Sequence, residues 1–149
     1  MSETGLSQND ADALLVIEKH RESDRSWTFP ALGGKLSIPL ISYDRREHFL
    51  LDFSRGSIEL RKVKLQTRAR QTVVLLRVDL FGTPHLNPDG EEVPCPHVHV
   101  YREGFGHKWA YPLPADHFSD PGNLWVTLDE FLAYCNVTQA PEILRGVFS

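Results

Sequence analysis

Two histidines two residues apart, in the run Pro94-Cys95-Pro96-His97-Val98-His99-Val100-Tyr101, mark where this sequence concentrates side chains able to do chemistry. Side chains alternate faces along a strand, so the spacing predicts that His97, His99 and Tyr101 project together while Val98 and Val100 enter the core. Neighbouring imidazoles move protons near neutral pH or hold a metal ion. Five of the seven histidines fall between positions 85 and 117, which points to a shared site rather than scatter. Cys95 has the same parity as His97 and His99, so a metal reading would add Cys95 or His85. Against it, Pro94 and Pro96 oppose regular pairing, and no CxxC or HExxH spacing accompanies the run.

The element that must position these groups is the strand expected over 71–80. Val74, Leu76, Val78 and Leu80 form one apolar face, and Val73, Leu75, Arg77 and Asp79 form the other. If this strand pairs with the one expected over 97–102, Arg77 and Asp79 stand beside His97 and His99. An arginine would then hold an anion, a carboxylate would orient an imidazole, and two imidazoles would transfer protons. His85, in the connection between the two strands, can swing over the same face. The candidate catalytic residues are therefore His97, His99, Arg77, Tyr101 and His85.

Charge is divided unevenly. The net charge is −4, yet residues 45–77 hold nine basic residues against three acidic ones, and no Lys or Arg occurs between Lys108 and Arg145. A basic middle between acidic ends suits an anion-binding face, with Arg61, Lys62, Lys64, Arg68 and Arg70 as candidate nucleic-acid contacts. The same residues equally suit the solvated outer face of ordinary strands.

The remaining signals describe an α+β protein of one domain over 1–149. Ser7 and Asp10 cap a helix expected over about 8–22. Strands are expected at 36–41, near an edge because of Pro39, and at 47–53. A turn at Ser54-Arg55-Gly56 leads to a further strand at 57–65. Asn87-Pro88-Asp89-Gly90 is a turn signal, and Gly104-Phe105-Gly106 turns the histidine strand into one over 108–112. Thr127-Leu-Asp-Glu130 reads as a capping box opening a helix through Tyr134. The sum is an antiparallel β-meander of five or six strands with an N-terminal and a C-terminal helix. Two cysteines, no signal-like N-terminus and no long apolar run imply a cytoplasmic protein that does not enter a membrane.

His97-Val-His99-Val-Tyr101 resembles part of the histidine-triad motif of nucleotide hydrolases, with Tyr101 where that motif has its third histidine; the resemblance would make His99 a nucleophile. More broadly, Arg46-Glu-His-Phe-Leu-Leu-Asp52, Leu76-Arg-Val-Asp79, Pro84-His-Leu-Asn-Pro-Asp-Gly90, Pro96-His-Val-His-Val-Tyr101 and Lys108-Trp-Ala110 resemble a small bacterial and prophage-associated family of unknown function. Locally, the proline-rich entry into Pro96-His-Val-His99 is similar to TumE-type toxin ribonucleases. These likenesses imply an endoribonuclease working without a metal or other cofactor, as the toxin of a small two-gene module. His97 and His99 would act as acid and base, and the partners would be RNA and a cognate protein. Two alternatives stand beside it. One is a non-catalytic phage or mobile-element protein that binds and inhibits a host defence complex through its acidic termini and aromatics such as Phe105, Trp109 and Trp125. The other is a histidine-ligated metal hydrolase.

Overall fold

Alternating apolar residues through the middle of the chain produce strands that pair with their neighbours in sequence. The computed structural model describes residues 5–146. A first helix, α1 (Gln8–Val16), leads to β1 (Lys19–Arg21) and β2 (Ser26–Thr28). Four strands follow, β3 (Lys35–Ser42), β4 (His48–Arg55), β5 (Val63–Ala69) and β6 (Val73–Asp79). The connection beyond them carries β7 (His85–Leu86) and β8 (Glu92–Val93), before β9 (His97–Val100) and β10 (Ala110–Pro112). The chain closes with α2 (Leu124–Tyr134), β11 (Val137–Gln139) and β12 (Glu142–Leu144).

The main sheet has eight strands in the order β10-β9-β6-β5-β4-β3-β1-β11. It is antiparallel from β10 to β1, and β11 joins β1 in parallel. The architecture is thus the expected α+β class with a helix towards each end, but with more strands than five or six. The extra strands, β1 and β11, are three residues long, too short for a period-two pattern to show. Separate two-stranded pairs are made by β2 with β12 and by β7 with β8.

Three local expectations are corrected, and a fourth, the edge at Pro39, holds locally. The first helix ends at Val16, and Ile17 is already extended (φ −60°, ψ 139°), because residues 19–21 pair with β3 instead of continuing the helix. The strand expected at 57–65 begins at Val63; Ile58 and Leu60 mimic an alternation, yet Ile58 is 92% exposed in a turn. Arg55 holds that turn, donating to the carbonyls of Pro30 and Leu60. The second helix starts three residues before Thr127: Asn123 is its N-cap, accepting from the amides of Trp125 and Val126. Thr127 instead donates its buried hydroxyl to the carbonyls of Asp120 and Asn123, and Glu130 accepts from the amide of Ser119. Pro39 lies inside the sheet order, but β1 reaches only Leu40, so the edge beside Pro39 is open.

The sheet has two unlike faces. Buried and half-buried residues alternate along β4 and β5. The buried set, including Leu51, Phe53, Val63, Leu65, Leu76, Val78 and Val98, joins Ala11 and Leu14 of α1 and Leu128, Phe131 and Leu132 of α2 in the core. Each large side chain so removed from water stabilises the fold by roughly 1.5–3 kcal/mol. Lys19 is fully buried beside this core, its ammonium donating to the carbonyls of Leu15, Ile17 and Cys135 at the ends of both helices. One side chain thereby satisfies orphan carbonyls of two helix C-termini. The opposite face carries the polar residues.

Candidate functional site

Register decides what stands beside the histidines. β6 and β9 pair antiparallel with Arg77 opposite His99 and Asp79 opposite His97. The pairing continues across the sheet in two rows. One is Ser37, Asp52, Gln66, Arg77, His99; the other is Lys35, Ser54, Lys64, Asp79, His97. The strand expected at 71–80 therefore neighbours the histidine strand, and the basic strand β5 lies on its far side.

At the end of these rows four side chains form a tight polar group. Arg77 grips Asp79 with two bonds, Nε to Oδ1 at 2.8 Å and Nη2 to Oδ2 at 3.2 Å, and its Nη2 also lies 3.0 Å from His99 Nε2. Asp79 Oδ2 lies 3.2 Å from His97 Nε2 and 3.5 Å from His99 Nε2. The outer nitrogens are held by backbone: His97 Nδ1 meets the Val93 carbonyl at 3.1 Å, and His99 Nδ1 the His107 carbonyl at 2.8 Å. No side-chain pattern in the sequence announces those two carbonyls. Among the described residues, Asp79, His97 and His99 each offer one ligand atom, these atoms lying within 4.8 Å of one another, close enough to share a metal ion.

Burial governs the electrostatics. Asp79 is 8% exposed and each of the two histidines 1%. Burial works against the charge on Asp79, but the Arg77 guanidinium, bonded to it through two nitrogens, outweighs it and holds the carboxyl well below the usual carboxylate range. The His97 imidazole is pushed down by burial, despite the nearby Asp79. His107, half-buried, is lowered by burial and by Arg77. The Cys95 thiol is raised by burial and by Asp79, which leaves it a poor nucleophile at neutral pH.

His85 is the part of the cluster that reaches solvent. It is half-buried, its ring lies 4.5 Å from that of His99 and 6.0 Å from that of His97, and its Nε2 donates to the Lys108 carbonyl at 2.7 Å. With the hydrogen on Nε2, Nδ1 of the neutral ring is a base. Cys95 Sγ sits 3.6 Å from His97 Nδ1, the nitrogen facing away from Asp79.

Tyr101 does not join this set. The strand ends at Val100, and the Tyr101 side chain turns into the core beside α1, where its hydroxyl bonds both the amide and the carbonyl of Leu6 at 2.7 Å. The basic candidates also separate. Lys64 lies in the row leading to His97, and Arg68 shares the face but is committed to Asp52 through two nitrogens. That contact, with Gln66 and Ser37, outweighs burial and lowers the Asp52 carboxyl. Arg61 and Lys62 are exposed at the turn before β5, with Arg61 paired to Glu59 and over the Phe81 ring. Arg70, in the β5–β6 turn with φ +50°, pairs with Glu47. Lys35, exposed at the far end of the Lys64 row, was not among the expected contacts; it shows only when the register is known. Of the three aromatics named as candidate partner contacts, Phe105 is 41% exposed, whereas Trp109 and Trp125 are half-buried, beneath Arg102 and Arg145.

No helix among the described residues is long and apolar enough to cross a membrane. Comparison with curated proteins and with solved structures gives no match. A family model described as a family of unknown function, DUF6978, matches residues 6–137, and the chain belongs to that family.

Proposed function

We propose that this protein is an endoribonuclease of the kind carried as a toxin in small two-gene modules, and that its reaction centre is the Arg77–Asp79–His85–His99 corner of the sheet. The observation that carries this reading is the row Lys35, Ser54, Lys64, Asp79, His97, which leads cations on the open face directly to a cluster of imidazoles. RNA supplies its own nucleophile, the 2′-hydroxyl, so the protein needs a base, a cation for the phosphorane and a proton for the leaving oxygen. His85, half-buried and with Nδ1 available, takes the 2′-hydroxyl proton, and solvent water at this open face protonates the departing 5′-oxygen as the P–O5′ bond breaks. Arg77 holds the phosphate, and Lys64 the adjoining backbone. Asp79, His97 and His99 are too deeply buried to touch the strand and position Arg77 and His85 from beneath. The local likeness of Pro96-His-Val-His99 to TumE-type ribonucleases supports the same class of reaction.

The test is cleavage of a labelled single-stranded RNA and of its DNA counterpart by the purified protein. Wild type is expected to cleave RNA only, leaving 2′,3′-cyclic phosphate ends. His85→Ala is expected to slow cleavage by about 10²-fold or more, the usual worth of general-base catalysis, with thermal stability near wild type. Cleavage of DNA at the same rate, or an unimpaired His85→Ala, removes this reading.

A further inference from the structure

Three atoms that accept hydrogen bonds converge beneath His85 with a single donor group among them. The carbonyls of Val93 and His107 only accept, so a hydrogen on Nδ1 of His97 and on Nδ1 of His99 satisfies both; at His97 the 3.1 Å carbonyl contact is preferred over the 3.6 Å contact with the Cys95 thiol. In the neutral rings, each Nε2 is then a lone pair. Both lone pairs face one oxygen, Asp79 Oδ2, at 3.2 and 3.5 Å. Arg77 Nη2 reaches His99 Nε2 and the carboxylate, but His97 Nε2 and Asp79 Oδ2 face each other with no donor between them. Such an arrangement in a buried site asks for a cation at the point of convergence.

We propose that Asp79 Oδ2, His97 Nε2 and His99 Nε2 are the three protein ligands of a divalent transition-metal ion of the zinc class. Bonds of about 2.0–2.1 Å in tetrahedral geometry place ligand atoms roughly 3.4 Å apart, and the two separations from Oδ2 match that spacing. Imidazoles whose other nitrogen donates to a backbone carbonyl are the usual support of metal-binding histidines, since that bond fixes ring and tautomer. Two nitrogens and one carboxylate suit zinc, cobalt or nickel better than magnesium or calcium, which favour oxygen. Three ligands leave a coordination position open towards His85, as in catalytic sites. Arg77 opposes the ion twice, as a competitor for the His99 lone pair and as a like charge, so loading turns its guanidinium away from His99 and frees it for an anion. This site replaces the expected metal-free centre, and it differs from the ligand set expected from sequence by using Asp79 in place of His85 or Cys95.

Tag-free protein, stripped with a chelator and dialysed, is titrated with Co²⁺ by visible absorption and then with Zn²⁺ in competition. Saturation near one ion per chain is expected. Asp79→Asn and His99→Gln are expected to weaken binding by about tenfold or more. Arg77→Gln, which keeps all three ligands, is expected to bind more tightly than wild type. Absence of a cobalt band in both wild type and folded Arg77→Gln overturns the proposal and assigns the gap to a proton on His97. Binding undiminished in folded Asp79→Asn overturns it equally. If the ligand variants fail to fold, wild type and Arg77→Gln decide. Metal uptake without RNA cleavage overturns only the ribonuclease reading; cleavage that persists in chelator, with no uptake, overturns only the metal site.

Discussion

Lys19 and Cys135 show how single residues set the pH response of the fold. Burial brings the Lys19 ammonium down to about 8, against which nearby Cys135 acts only weakly. Between about 8 and the unfolded value of roughly 10.4, the unfolded chain holds the extra proton, so Lys19 makes stability rise with pH in that window. Burial pushes the Cys135 thiol up to about 12, and there the unfolded chain loses its proton first. Its contribution therefore falls as pH rises above roughly 8.5. The two oppose each other in the same range. Relative to wild type, Cys135→Ala is expected to gain stability between pH 8 and 10 and Lys19→Met to lose it, as read from urea midpoints at the two pH values. Lys19→Met also leaves three buried carbonyls without a donor, at about 1–3 kcal/mol for each that water cannot reach. The local sequence of Lys19 does not signal this role: the Leu15 and Ile17 carbonyls are close in sequence, but the Cys135 carbonyl that completes the set comes from the end of the second helix.

At the scale of elements, the second helix tests how far local signals reach. Asn123→Ala is expected to lower stability by about 1 kcal/mol through loss of the cap, measured by thermal or denaturant unfolding. An effect within error would return the helix start to Thr127. The sequence points to Thr127, and the cap falls to Asn123 because Thr127 is buried and its hydroxyl is taken by carbonyls of the preceding turn. Strand β5 teaches the same lesson: Ile58 and Leu60 continue a plausible alternation, but Arg55 ties the backbone there into a turn. By contrast, β6 and β9 were legible as strands, and their pairing, a condition in the sequence, is met in the sheet. Their alternation spans enough residues to fix a face, and antiparallel pairing puts residues of like parity together.

Across the whole molecule, the uneven charge becomes a selective surface. Among the described residues Lys35 and Lys64 make no ion pair, whereas Arg61, Arg68, Arg70 and Arg77 each have a carboxylate partner. RNA binding beyond the phosphate held by Arg77 is therefore expected to depend on the two lysines more than on Arg61, Arg68 and Arg70. In anisotropy titrations over a salt series, Lys64→Gln is expected to reduce the salt slope by about 0.7, the share of one phosphate contact on a single strand. Arg68→Gln is expected to change the slope less while lowering stability, since it leaves the half-buried Asp52 with Ser37 and Gln66 but no cation. Equal slopes for wild type and Lys64→Gln would place the contact surface elsewhere. The sequence by itself determined the histidine pair, its parity with Cys95, the strands on either side of the basic stretch and the α+β class. All of these rest on periodicity and local residue chemistry. Only the tertiary structure decided that Arg77 meets His99, that Tyr101 turns into the core, that Val93 and His107 lend their carbonyls, and that β1 and β11 complete the sheet. Register, burial and backbone partners come from contacts between distant segments, and the residue types at a single stretch of chain do not encode them.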